Sequence, residues 1–60
     1  MRVIFSITAG DGNRIDYGEV DLRQSGNWFF VHRDGVEVAT LDRRELIAWS
    51  VCAPDERVLH

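Results

Sequence analysis

His32 and Cys52 are the two side chains of this 60-residue chain that could act together as base and nucleophile. A cysteine attacks as its thiolate. It needs a base within hydrogen-bond reach, a third group to orient that base, and donors to hold an oxyanion. The spacing of these residues supplies none of that geometry. His32 falls where Glu37 would meet it across a hairpin, and Cys52 reads as a small buried hydrophobe. Structural zinc takes about four Cys or His ligands, and Cys52, His32 and His60 lack any finger-like spacing. The expectation is a protein that is not an enzyme, with no catalytic residue, no metal and no cofactor.

The carboxylates are dispersed. Asp16, Glu19 and Asp21 follow one another in one run, and Asp55 and Glu56 stand near the end. Glycoside or metal chemistry needs such groups to converge in a cleft, so a solvated face is the simpler reading. An acidic inhibitor that mimics nucleic-acid phosphates is the sharper one, but the charge density is low for it. Trp28, Phe30 and Tyr17, with nearby arginines, could stack single-stranded bases. Against that stand ordinary core packing and a formal charge of −3, since nucleic-acid affinity rests on neutralising phosphates. The Gly10–Asp11–Gly12 run is too short for a phosphate-binding fingerprint and reads as a turn.

The elements that must position these residues can be read from periodicity. Arg2 to Thr8 alternates, with Val3, Phe5 and Ile7 on one face, as in a half-buried strand. Gly10–Asn13 turns the chain. Arg14 to Leu22 is a second strand that changes phase, because Ile15 and Tyr17 have one parity and Val20 and Leu22 the other. A bulge at Gly18 would return all four to one face. Trp28 to Leu41 is a two-residue hairpin around Asp34–Gly35, a pair suited to two consecutive residues at positive φ. The simple register pairs Arg33 with Val36, Val31 with Val38 and Phe29 with Thr40. On the other face it pairs His32 with Glu37, Phe30 with Ala39 and Trp28 with Leu41. Both faces are apolar.

Asp42 and Glu45 form a capping box, and Leu41 and Leu46 stand at the positions of a hydrophobic staple. They predict a helix from Arg43 to about Val51, ending before Pro54. Ile47, Trp49 and Val51 also alternate, so a fifth strand is the alternative, but the capping box favours the helix. Positive charge at a helix start is unfavourable with the macrodipole. Arg43 and Arg44 there suggest contact with a carboxylate on a neighbour.

Sixty residues make one domain at most, and at that size the stability is marginal. Chains near this length lean on disulfides, a metal or self-association, and with a single cysteine self-association remains. All seven basic residues are arginine, which suits a natural chain from a GC-rich genome. No segment approaches the roughly 20 apolar residues of a membrane span. Met1–Ile7 is too short for a signal sequence, so a cytoplasmic protein is expected.

Together these readings predict an α+β fold, a four-stranded antiparallel meander followed by one C-terminal helix (ββββα). The domain spans 1–53 and a polar tail 54–60. The helix would cover one sheet face through Leu46, Ile47 and Trp49. The uncovered face predicts an isologous homodimer, with Trp28, Phe30, Leu41, Ile47, Trp49 and Val51 at the interface and Arg43 and Arg44 as partner contacts. The expected function is a non-enzymatic protein-interaction module, a small phage or bacterial regulatory or assembly protein. Its partner would be a second copy or another protein, with single-stranded nucleic-acid binding as the alternative.

Overall fold

The computed structural model describes residues 1–54. Five antiparallel strands form one sheet: β1 (Arg2–Ala9), β2 (Arg14–Ser25), β3 (Trp28–Arg33), β4 (Val36–Asp42) and β5 (Leu46–Cys52). Their order across the sheet is β4-β3-β2-β1-β5. Four strands run as the expected meander. The chain then crosses through a single 3-10 turn, Arg43–Glu45, and pairs β5 with the free edge of β1. The rest of the expected tail, beyond Pro54, lies outside the described residues.

The predicted ββββα fold is overturned at this point. The described residues form an all-sheet domain with no α-helix. The helix-start signal is real but local. The Asp42 side chain accepts a hydrogen bond from the Arg44 backbone N–H at 3.0 Å, as an N-cap does. It caps one turn and no more. A nine-residue helix is marginal by itself because its nucleus is costly. The open edge of β1 offers Leu46–Cys52 a ladder of backbone partners, from Ala9 with Leu46 to Ile4 with Cys52. The β-branched and aromatic residues at 47, 49 and 51 fit that pleated surface.

Arg44 also donates from Nε and Nη2 to Asp42 at 2.9 and 2.7 Å. These bonds from the guanidinium, followed by the one from the Arg44 backbone, hold the Asp42 carboxyl below its ordinary value of 3.8. A depressed carboxyl stabilises the fold above its unfolded value and loses that contribution as pH falls through the folded one. Thermal melts below pH 3.8 should therefore lose stability less steeply in Asp42→Asn than in the parent. Parallel slopes for the two proteins would refute the assignment.

The sheet covers its own core by rolling up. Val3, Phe5, Ile7, Val20, Leu22, Phe29 and Val31 are buried together, with Tyr17, Ala39, Leu41 and Leu46 packed against them. A flat sheet would hold β3 and β5 about 14 Å apart, three strand spacings. Yet the rings of Phe29 and Trp49 meet edge to face with centroids 5.5 Å apart. Phe29 also meets Phe5 of β1 at 5.4 Å, although β2 lies between their strands. The core face is thus concave, and the predicted covering helix is not needed.

Two irregularities set the phase of this inner face. Phe5 pairs with Gly18 and Ser6 with Asp16, so Tyr17 is an extra residue in β2. Gly18 has φ +71°, and the Asp16 side chain accepts its backbone N–H at 3.0 Å. This is the glycine bulge anticipated from the phase change. It lets the Tyr17 ring stack on Phe5 at 5.9 Å.

The hairpin turn is also as expected, with Asp34 at φ 54° and Gly35 at φ 80°. Its register departs from the simple one after two pairs. Arg33 faces Val36 and His32 faces Glu37, but Val31 then faces Ala39, Phe30 faces Thr40 and Phe29 faces Leu41. Val38 is the extra residue. The shift brings Ala39 and Leu41 into line with Val31 and Phe29 on the concave face, where their apolar surface is removed from water.

Candidate functional site

The predicted interface residues do not form one surface. Directly paired residues share a face, so Trp28 and Phe30 lie on the convex side with Arg23, Ser25 and Thr40. Leu41 lies inside, partly buried against the core. Trp49 and Val51 pair with Ile7 and Phe5 and therefore share the concave face. They stand on the last strand of the roll, where cover runs out, and each remains 42% exposed. Ile47 is 64% exposed and is the extra residue between the Thr8–Ala48 and Ala9–Leu46 pairs. Three large apolar groups thus gather on one seven-residue strand.

Arg43 and Arg44 are held within the chain. Arg44 engages Asp42, and Arg43 donates from Nε to the Asn27 side-chain oxygen at 3.2 Å and from its backbone N–H to Asn27 O at 2.8 Å. These bonds tie the 3-10 turn to the β2–β3 turn and so fix where β5 begins.

The acidic run of the convex face is internally paired. Glu19 lies 3.3 Å from the Arg2 guanidinium, and Asp21 lies 2.7 Å from the Met1 amino group. Its hydrogen bond and charge hold the Asp21 carboxyl below the ordinary carboxylate range. Asp16 is spent on the Gly18 backbone. A stripe so occupied is a salt-bridged face, not a run of free charges suited to phosphate mimicry. Further along, Arg23, Gln24, Ser25, Phe30, His32 and Glu37 line a shallow groove of about 440 Å³. His32 Nε2 and Glu37 Oε1 are 4.0 Å apart there, the cross-strand neighbours expected from the hairpin.

The possible catalytic pair is not assembled. In the sheet order β2 and β1 lie between His32 on β3 and Cys52 on β5, and both residues are on the convex side, where side chains splay apart. Cys52 is exposed and touches Ser50 Oγ at 3.9 Å, contrary to its reading as a buried hydrophobe. No group of three His, Cys, Asp or Glu side chains among the described residues could hold a metal ion. The aromatic platform proposed for nucleic acid is divided too. Tyr17 stacks on Phe5 inside, while Trp28 and Phe30 face outward. No helix among the described residues is long and apolar enough to cross a membrane.

Sequence reasoning missed the open edge of β5, because it placed residues 43–51 in a helix. The signal was present in the period-2 pattern of Ile47, Trp49 and Val51 and in the absence of charge from Leu46 to Cys52. Trp49 deserves its place among the candidates for a reason the sequence could not supply. It covers the Phe29 ring on one side and meets solvent on the other. Comparison of the chain with protein-family models, with curated proteins and with solved structures finds no match.

Proposed function

We propose that this chain is a non-enzymatic interaction module that works by associating with a second copy of itself. One observation carries the reading. The last strand of the domain is uncharged, and it exposes Ile47, Trp49 and Val51 while the seven-residue core beside it is closed. Single exposed hydrophobes need no explanation, but three gathered on one uncharged strand point to an interaction surface. Size argues in the same direction. So small a core supplies little stability without a staple, and a single free cysteine provides no internal disulfide. An exposed thiol at Cys52 also suits a reducing compartment, so a cytoplasmic setting belongs to the same proposal.

Light scattering behind size-exclusion chromatography tests the reading. The expected particle at micromolar concentration has twice the 6.9 kDa mass of the chain, and it dissociates on dilution. A single 6.9 kDa species at every concentration would overturn self-association.

A further inference from the structure

Among the described residues strand β5 has one paired edge and one open edge, and the hydrogen-bond phase of the sheet identifies the groups at the opening. Met1 and Leu22 exchange backbone bonds, with Leu22 N–H donating to Met1 O at 2.7 Å and the Met1 amino group to Leu22 O at 3.1 Å. The far end of β1 agrees: Ala9 N–H donates to Asn13 O at 2.7 Å, toward the β2 side. In an antiparallel ladder the direction of N–H and C=O alternates from residue to residue. Odd-numbered residues of β1 therefore turn toward β2, and Ile4, Ser6 and Thr8 turn toward β5. Their partners Cys52, Ser50 and Ala48 direct their backbone groups back to β1. Trp49 and Val51 are left to point theirs out of the sheet.

From this geometry we propose that the β5 edge is the seam of a homodimer, in which β5 pairs antiparallel with β5 of a second copy about a two-fold axis. The proposal rests on the self-association reading above and names its surface and geometry. Edge strands are ordinarily blunted by charges, bulges or cover. Strand β4, the other edge, is blunted in two of these ways. It carries Glu37 and Asp42, and Val38 interrupts its ladder. From Ala48 to Cys52, β5 has neither device, and its one bulge lies at its start.

Charge compatibility selects a second copy at this edge. The chain is formally −3, so two copies meet at least cost along a segment that sets no like charges against each other, and uncharged Leu46–Cys52 is one. Pairing β4 with β4 would bring Glu37 and Asp42 of both copies to one seam. The edge of seven residues is about 24 Å long. Trp49 and Val51 would then continue the concave apolar row into the partner, which gives cover to the surface the roll leaves open.

Amide hydrogen exchange on the full chain tests the seam. Ala48, Ser50 and Cys52 bond to β1 and should be protected at every concentration. The Trp49 and Val51 amides should exchange freely when dilute and slow by roughly tenfold or more as dimer forms. Val51→Lys should abolish both the dimer and this protection, whereas Val36→Lys, at the still more exposed start of β4, should leave both intact. Because the exchange pattern is measured on the parent chain, a Val51→Lys protein that fails to fold does not blunt the test. A dimer whose Trp49 and Val51 amides exchange freely would overturn the seam and leave self-association standing. Protection that is independent of concentration would show the edge covered from within the chain and would also overturn it. Concentration-dependent protection of the β4 edge together with β5 would replace the two-fold pair by head-to-tail assembly. A monomer at all concentrations would overturn both proposals.

Discussion

Phe5→Ala should abolish cooperative unfolding. Phe5 is fully buried, stacks on Tyr17 and meets Phe29 edge to face, so its ring joins β1 to β2 and β3. Truncating a buried phenylalanine costs about 3–5 kcal/mol through lost transfer energy and the cavity left behind. At roughly 0.05–0.15 kcal/mol per residue, a chain of this size has about 3–9 kcal/mol of stability in all. The substitution removes most of it. Near-ultraviolet circular dichroism during a thermal melt is the direct measurement, with a broad, non-cooperative change expected. Phe30→Ala supplies the contrast, since Phe30 is on the convex face beside Arg23 and Thr40 and should cost far less. A Phe5→Ala protein that melts sharply within a few degrees of the parent would refute this account of the core.

Gly18→Val should be the most damaging change outside the core. At φ +71° the backbone occupies the left-handed region, which costs an L-residue about 1–2 kcal/mol and a β-branched one more. No heavy atom lies within 4 Å of where a Cβ would sit, so the penalty arises in the backbone and not from a clash. Relief would require loss of the bulge. Without the extra residue, Ile15 and Tyr17 change face relative to Val20 and Leu22, and the Tyr17–Phe5 stack is lost with them. The expected loss is about 2 kcal/mol or more by urea denaturation. Gly18→Asn should recover much of it, because asparagine tolerates the left-handed region better. Equal stability of Gly18→Val and the parent would show that the bulge is dispensable.

Several elements were legible from residue types alone because they depend on neighbours in sequence. The alternation of Val3, Phe5 and Ile7 identified the core face of β1. The phase change around Gly18 located the bulge, and Asp34–Gly35 located the primed turn. Asp42, three residues before Glu45, marked the cap. Each of these reports on a few consecutive residues whose backbone preferences need no distant partner.

The outcome at residues 43–52 was of another kind. The segment satisfies both a helix start and a period-2 strand, and its own residues leave the choice open. The choice was made by β1, whose open edge offers Leu46–Cys52 backbone partners that a short isolated helix cannot match. The same dependence explains the hairpin register, since the bulge at Val38 makes sense only once Ala39 and Leu41 have a concave core to enter. It also explains the surface. From its residue types alone, the chain carries more apolar material than one thin sheet needs. Folding settles where the excess goes: the rolled sheet hides Phe5, Phe29 and Val31, and β5, the last strand of the roll among the described residues, is left with Trp49 and Val51 facing solvent.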